Sequence, residues 1–521
     1  MELNSIRALE QATNLGRGEL FRLGTALLFI VAIMLITYSR LEAVPNSHLL
    51  VIAAMIGGYM ALNIGANDVA NNVGPAVGSQ AITLTGAIII AAIFEAGGAL
   101  IAGGDVVSTI KKGIIDPALI TDSDTFIWIM MAALLAAAVW LNAATALGAP
   151  VSTTHSIVGG VLGAGIAAAG WGIANWGTVG AIAASWVISP LMGGLIAAGF
   201  LYLIKRTIVY RSDKISAAKR IVPILISLMA WAFSTYLIMK GLKKLWKFDI
   251  VTAGMLGLAI AVALFILVKP MIARAADKLE NNRDSINNLF VIPLIFAAAL
   301  LSFAHGANDV ANAVGPLAAI NDAIVSGGVA KKASIPLWVM LVGAVGIALG
   351  LALYGPKLIK TVGSEITELD KMRAFCVAMA AAITVIIASQ LGLPVSSTHI
   401  AVGGVFGVGF LREYLEANHA AMLDEIRQHH DGDDEEVVDA FLDKFEEADI
   451  DEKGAMLKSL KEKKGPNLFK KERKELRKVY HKELVKRSIL MKIAAAWVIT
   501  VPAAAILSAI LYFTIRGMLL P

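Results

Sequence analysis

The sequence predicts an all-α polytopic membrane protein with two inverted-topology repeats, broken or half helices and about 12–13 transmembrane segments. Three observations lead to this fold class. The 521 residues are 57% hydrophobic and 16% charged, whereas soluble proteins carry about 25% charged residues. The motif GANDVAN at Gly65–Asn71 recurs at Gly306–Asn312. The motif PVSTTH at Pro150–His155 recurs as PVSSTH at Pro394–His399.

Composition places the chain in a lipid bilayer, with membrane lipid as its surroundings. Its mean hydropathy is +0.72, and its single cysteine, Cys376, excludes a disulfide framework or a cysteine metal site. Basic residues in such a protein mark cytoplasmic loops, so the net charge of +5 does not indicate nucleic acid binding. The first apolar run, Phe21–Tyr38, is predicted to be a retained transmembrane helix and not a cleaved signal. The prediction is a multi-pass protein of a bacterial inner (plasma) membrane.

The repeated motifs divide the chain into two halves joined by a bridge. Equivalent motifs stand in the same order and at similar spacing in each half, so both halves are expected to share one fold. The predicted divisions are a tail and extra helix (1–47), repeat 1 (48–204), a basic loop with two bridging helices (205–286), repeat 2 (287–411, completed by 488–516), a charged cytoplasmic insert (412–487) and the last helix with the C-terminus (488–521).

Loop charges predict that the two halves are inverted. The basic loop 205–220 follows the last helix of repeat 1, and the charged insert 412–487 precedes the last helix of repeat 2. If both are cytoplasmic, equivalent points of the two halves lie on opposite faces of the membrane. Four lysines oppose this arrangement, because they would lie outside: Lys240, Lys243, Lys244 and Lys247.

The insert changes from acidic at Asp431–Glu436 to basic at 461–487. Val437, Phe441 and Phe445 recur at the spacing of an amphipathic helix. We therefore expect a small helical cytosolic module, and the sequence identifies no partner for it.

The GANDVAN copies predict cation sites inside the membrane. Gly65 and Gly306 are expected to loosen a helix that Pro75 and Pro316 then end. Broken backbone at membrane depth is tolerated where it lines a cavity, and a buried carboxylate there costs at least about 2.5–3.5 kcal/mol. The alternative is a polar turn in water, which a second identical copy disfavours. The predicted ligands of a sodium ion, or the groups that hold a proton, are Asn67, Asp68, Asn308 and Asp309, with sodium expected at Asp68 and Asp309.

The PVS(T/S)TH copies predict an anion site. Serine and threonine cap helix starts, where free N–H groups and the helix dipole favour anions. Two such starts from opposed repeats would clamp one tetrahedral anion, although one copy alone is typical of an ordinary capped helix. The predicted anion-binding residues are Ser152, Thr153, Thr154, Ser396, Ser397 and Thr398.

Three further polar residues are candidates for coupling or orientation. His155 and His399 either hydrogen-bond buried carbonyls, orient the site or sense protons. Glu95 lies in an apolar run, and an intramembrane glutamate is a functional candidate unless it merely pairs with a lysine.

These duplicated motifs resemble the inorganic phosphate transporter (PiT) family of sodium- or proton-coupled phosphate permeases. The resemblance covers about residues 48–411 plus the last helix. It implies an inverted-repeat fold, a homodimer, and a symporter that imports phosphate by alternating access, with no enzymatic activity and no cofactor besides the coupling ion. It also implies phosphate at the hydroxyl-bearing helix starts and sodium near the Asn-Asp pairs.

The chain departs from the family pattern in three places. Phe21–Tyr38 is an additional helix, the hydrophilic insert lies near the C-terminus, and Ala378 replaces a second intramembrane glutamate that many members carry. The last difference bears on the coupling ion more than on the fold.

Other functions remain as alternatives from the residues alone. The same machinery could carry sulfate or another tetrahedral oxyanion. A hydrolase using Ser152 and His155 is disfavoured, because a nucleophile needs one such pair and not two symmetric ones. A channel or sensor is disfavoured by the broken, inverted repeats.

Overall fold

The computed structural model describes residues 2–39, 47–120, 122–149, 151–241, 248–326, 335–364, 369–428, 440, 444 and 487–519. These residues are helical and contain no strand, apart from one isolated bridge between Ile115 and Ala174. The helices are α1 (Glu2–Tyr38), α2 (Ser47–Asn67), α3 (Ala70–Gly78), α4 (Leu84–Ala102), α5 (Gly104–Lys112), α6 (Ser123–Leu147), α7 (Thr153–Ala169), α8 (Trp176–Ile204), α9 (Lys214–Gly241), α10 (Ile250–Ala276), α11 (Arg283–Leu289), α12 (Val291–Asp309), α13 (Ala311–Ser326), α14 (Leu337–Ser364), α15 (Lys371–Gln390), α16 (Ser397–Gln428) and α17 (Arg487–Leu519).

The predicted all-α, multi-pass architecture is confirmed. Within the described residues, 11 helical segments are long and apolar enough to cross a membrane, and α7 is a shorter apolar helix. The first span covers Gly18–Tyr38, although α1 itself begins well before the predicted Phe21. At the other end of the chain, α16 continues past the predicted boundary at Leu411 to Gln428. The predicted amphipathic helix at Val437–Phe445 lies outside the described residues.

Capping side chains set several helix starts. Asp122 accepts a hydrogen bond from Thr125 N and begins α6, and Asp370 accepts one from Arg373 N and begins α15. Gly148 closes α6 with φ 72°, a left-handed conformation that favours glycine. The chain then turns directly into the PVSTTH segment.

The predicted helix breaks fall at the acidic residue of the first motif and directly after that of the second. One break lies between α2 and α3 at Asp68 and Val69, and the other lies at Val310 between α12 and α13. The proposed cause was wrong, because Gly65 lies inside a continuous helix. The predicted roles of Pro75 and Pro316 were also wrong, because α3 continues through Pro75 to Gly78 and α13 continues through Pro316 to Ser326.

Gly65 and Gly306 instead allow two pairs of helices to touch through their backbones. A Cβ atom on Gly65 would overlap the carbonyl oxygen of Ile347 in α14, and one on Gly306 would overlap that of Glu95 in α4. Small residues let membrane helices approach this closely. The two crossings are therefore equivalent points of the two repeats.

Gly306→Ala is expected to destabilise the protein by about 1–3 kcal/mol, because α4 and α12 must separate to accommodate the methyl group. Gly254→Ala in α10 is the matched control, since no atom lies within 4 Å of a Cβ there. Thermal unfolding in detergent measures both. Equal stability of the two variants would contradict the close crossing.

The two repeats contact each other through equivalent pairs of helices. Helix α2 packs on α14 as α12 packs on α4, and α7 packs on α17 as α16 packs on α8. The breaks that follow α2 and α12 consequently meet the starts of α7 and α16 in the interior. Inversion across the membrane stays a prediction.

Lys240 is not a loop residue. It lies in α9, its side chain is 7% exposed, and it forms an ion pair with Asp105. A lysine held inside the protein by a carboxylate carries no information about loop orientation. Of the four lysines that opposed inversion, Lys240 no longer does, and the other three lie outside the described residues.

Candidate substrate and cation site

All the predicted site residues are buried, and His155 is the most exposed of them at 4%. Asp68 is 1% exposed, so the alternative of a polar turn in water is excluded. The site is a polar centre inside the apolar helices.

Asp68 joins the two helix starts. It accepts a hydrogen bond from Thr153 Oγ1 at 2.5 Å and a second from Thr398 Oγ1. Thr153 begins α7 in repeat 1, whereas Thr398 lies in the first turn of α16 in repeat 2. One carboxylate thus holds hydroxyls from both halves.

Asp309 has a different set of partners. Its Oδ2 atom accepts from Ser397 Oγ at 2.7 Å and lies 2.7 Å from His305 Nε2. Its Oδ1 atom has no partner within the described residues. The two acidic residues of the duplicated motif are therefore not equivalent in their surroundings.

The last asparagine of each motif reaches across to the opposite repeat. Asn71 Nδ2 donates to Thr398 Oγ1 at 2.8 Å. Asn312 Nδ2 donates to Thr153 Oγ1 at 3.0 Å and to Thr154 Oγ1 at 3.2 Å. These cross-repeat bonds fix the register of the two helix starts around Asp68.

The six predicted anion-binding residues fall into three groups. Ser152 and Ser396 cap their helices by accepting from the backbone N–H groups of His155 and His399, at 3.1 and 3.2 Å. Thr154 donates to the carbonyl oxygen of Val395 at 2.9 Å. The remaining three hydroxyls donate to the carboxylates: Thr153, Ser397 and Thr398.

Asn67 and Asn308 anchor the segments that lead into α7 and α16. Asn67 Nδ2 donates to Thr145 Oγ1 at 2.9 Å and to the carbonyl of Ala149 at 3.2 Å. Asn308 Nδ2 makes the equivalent contacts with Ser389 Oγ at 2.9 Å and the carbonyl of Leu393 at 3.2 Å. Both side chains position the helix starts, and the Oδ1 atom of Asn308 remains without a partner in the described residues.

Glu95 pairs with a histidine, and not with a lysine as the alternative supposed. Its Oε2 atom lies 2.6 Å from His305 Nδ1, and its Oε1 atom accepts from Asn72 Nδ2 at 2.7 Å. Both His305 nitrogens therefore face carboxylate oxygens, those of Glu95 and Asp309. Either His305 carries both ring protons or one carboxyl group holds one of them.

His155 and His399 stack with two tryptophans. Their ring centroids lie 4.4 Å apart, and each ring packs on an indole, Trp186 at 3.8 Å and Trp497 at 3.7 Å. A backbone group of Trp497 lies beside His155, but neither imidazole makes a hydrogen bond of normal geometry within the described residues. The predicted roles of His155 and His399 in orienting the site or sensing protons stay predictions, and the pair joins α7 to α16.

Unpartnered buried oxygen atoms make this centre suitable for a cation. Buried polar groups are nearly always hydrogen-bonded, so several unpartnered acceptors in one motif indicate missing positive charge or donors. Ligand atoms of Asp68, His305 and Asp309 lie within 4.8 Å of one another. The motif acceptors without a partner among the described residues are Oδ1 of Asn71, Asn72, Asn308, Asn312 and Asp309.

Sequence reasoning missed four residues of this centre, and each carried a signal. His305 is an intramembrane ionisable residue, which by itself marks a functional candidate. Asn71 and Asn312 are the last letters of the duplicated motif. Asn72 follows directly, and its amide holds Glu95.

Fold and site together define a polytopic helical transport protein, with a duplicated polar centre between interlocked repeats. Residues 64–508 match the family model described as the phosphate transporter family. The chain belongs to that family, and it is a multi-pass membrane transporter and not an enzyme.

Its relatives agree with this assignment. The chain is 55% identical over 523 residues to a Helicobacter pylori protein named "Putative phosphate permease", with 98% of each chain covered. A protein of the same description from Pyrococcus abyssi is 40% identical over 380 residues, covering 72% of this chain and 92% of the relative. A solved structure described as "The sodium-dependent phosphate transporter" has a TM-score of 0.74 and 33% identity, and covers 91% of this chain and 100% of its own.

Proposed function

We propose that this protein is a cation-coupled symporter that imports inorganic phosphate by alternating access. The observation that carries the proposal is the convergence of hydroxyl groups from α7 and α16 on Asp68, where both repeats meet. A site shared by two repeats changes shape whenever one repeat moves against the other. Homodimerisation stays a prediction from the family resemblance.

The hydroxyl groups explain how a cation would control phosphate binding. Thr153, Ser397 and Thr398 donate to carboxylates, and the same hydrogens would be needed by a phosphate at the helix starts. A phosphate beside an uncompensated carboxylate is also repelled, by about 4 kcal/mol per pair of unit charges at 4 Å and an effective dielectric constant of about 20. A cation at Asp68 and Asp309 removes this repulsion and frees the hydroxyls, so cation binds first.

Sodium is the coupling ion that the site favours. The centre offers two carboxylates and four amide oxygens without a partner among the described residues, and these are hard ligands that suit an alkali cation. The similar solved structure is described as sodium-dependent. A proton is the alternative, and His305 favours it because it lies between the carboxylates of Glu95 and Asp309.

Sulfate is the second candidate substrate. Like phosphate, it is a tetrahedral oxyanion that accepts hydrogen bonds from hydroxyls and helix N–H groups. The family to which the chain belongs favours phosphate.

Uptake by reconstituted protein tests the proposal. Labelled phosphate should accumulate in proteoliposomes under an inward sodium gradient, and the KM for phosphate should fall as sodium rises, because the cation binds first. Uptake under a proton gradient alone would show that the coupling ion is a proton and not sodium. Faster uptake of sulfate than of phosphate would show that sulfate is the preferred substrate. The absence of uptake of either anion under either gradient would refute the symporter.

A further inference from the structure

A cavity of about 470 Å³ lies beside the site on its α1 side. It is bounded by the additional N-terminal helix α1 together with α2, α6 and α14. Small-molecule sites in proteins usually measure about 300–1,000 Å³. The cavity is therefore large enough for a partly hydrated oxyanion.

One end of the cavity reaches the candidate site. Ala66 and Thr145 line it. Thr145 accepts the hydrogen bond that anchors Asn67, the residue immediately before Asp68. The cavity thus adjoins the residue that anchors Asn67 next to Asp68.

The other end carries charge. Arg22 and Glu19 line the cavity at the start of the first membrane span, Gly18–Tyr38. Their contact is 2.8 Å, with side chains 42% and 66% exposed. Arg22 is the one basic residue among the residues that line the cavity, so it is the group that attracts an anion.

The walls between these ends are amphipathic and not purely apolar. Asn63, Asn142 and the hydroxyl-bearing Tyr59 and Tyr354 line the cavity along with aliphatic side chains. Neutral hydrogen-bonding groups hold a hydrated anion weakly, which suits passage more than tight binding. A groove for lipid tails needs none of them.

The equivalent position on the other repeat is occupied by side chains of α9. Ser389 is the counterpart of Thr145, because it anchors Asn308 as Thr145 anchors Asn67. Lys240 of α9 lies 3.4 Å from the carbonyl oxygen of Ser389 and is paired with Asp105. Tyr236 of the same helix is 1% exposed and packs edge-on against Phe303. Among the described residues, a cavity thus lies beside the Thr145 anchor, whereas side chains of α9 lie beside the Ser389 anchor.

We propose that the cavity beneath α1 is the vestibule through which phosphate reaches the site, with Arg22 as its anion-recruiting residue. This inference rests on the proposed function, because it takes phosphate as the transported ion. Helix α1 is an addition to the family pattern, and it forms one wall of the vestibule. Glu19 moderates the charge of Arg22 and keeps it from trapping the anion.

Kinetics of charge variants test the role of Arg22. Arg22→Gln should raise the KM for phosphate about 3–10-fold with kcat nearly unchanged, because local charge raises the anion concentration at the mouth. Arg22→Lys should keep the wild-type KM, and Glu19→Gln should lower it. High salt should shrink these differences through screening. Arg206→Gln is the matched control, since Arg206 donates a hydrogen bond to Tyr202 and does not line the cavity.

Site-directed labelling tests the route itself. Cys376→Ala removes the one native cysteine, and Ala146→Cys then places a thiol on an exposed part of the cavity wall. A bulky thiosulfonate reagent should react there, reaction should slow with added phosphate, and uptake should fall at least about 10-fold once the vestibule is blocked. Ser212→Cys, on an exposed turn, should be labelled without loss of uptake.

The outcomes separate this inference from the proposed function. An unchanged KM in Arg22→Gln would overturn the vestibule inference, and so would full uptake after complete labelling of Ala146→Cys. Neither result would affect the proposal of phosphate symport. Failure of the wild-type protein to take up phosphate would instead refute the symporter.

Discussion

Asp68→Asn is expected to abolish coupled phosphate uptake, with a loss of about 100-fold or more. The carboxylate accepts hydroxyl bonds from both repeats, and hydrogen bonds to a charged group are worth about 1.5–3 kcal/mol each. Asparagine keeps the shape but provides no charge for the cation, and every 1.4 kcal/mol corresponds to a factor of ten. Initial uptake rates at several sodium concentrations measure the effect, and Asp309→Asn should behave similarly.

Asp277→Asn provides the control for this prediction. Its carboxylate pairs with Lys219 and its side chain is 63% exposed, and exposed pairs contribute only about 0–1 kcal/mol. It should leave uptake unchanged. Normal sodium-dependent uptake by both Asp68→Asn and Asp309→Asn would place the cation sites elsewhere.

The Glu95–His305 pair is expected to cost stability when only one partner is removed. Both side chains are 0% exposed, and removing one partner of a buried pair destabilises by about 3–5 kcal/mol because the other is left unpaired. Glu95→Ile and His305→Ile should each lower the thermal unfolding temperature in detergent and stop uptake.

The double variant Glu95→Ile/His305→Ile separates folding from function. The equivalent crossing of α2 and α14 carries Ile64 and Ile347 at these positions, so an isoleucine pair fits this geometry. We expect the double variant to regain most of the lost stability and none of the uptake. Recovered uptake would assign the pair a purely structural role, and additive destabilisation would contradict the equivalence of the two crossings.

The repeat organisation could be predicted because duplication is visible in the letters of the chain. The helix breaks at Asp68 and Val310, and the caps at Ser152 and Ser396, follow from short-range rules on motifs and capping. The cause assigned to Gly65 was wrong, because a glycine that permits a helix contact and one that loosens a helix look the same in sequence.

Partners across the repeats could not be predicted. The bond from Asn71 to Thr398 joins residues 327 positions apart, and no local pattern specifies such a distance. From the sequence, Lys240 was predicted to be a charged loop residue, and only the structure shows that it is buried against Asp105.

The sequence by itself determined that this is a multi-pass helical protein with two copies of a polar centre, because hydrophobic length and repeated motifs are local properties. Only the tertiary structure decided that the two copies form one site and that they differ there. His305 links Glu95 to Asp309 at one crossing, while Ile64 and Ile347 stand in the places of His305 and Glu95 at the other. The physical reason is that pairing inside a membrane depends on which helices cross, and crossings are set by packing of the whole chain.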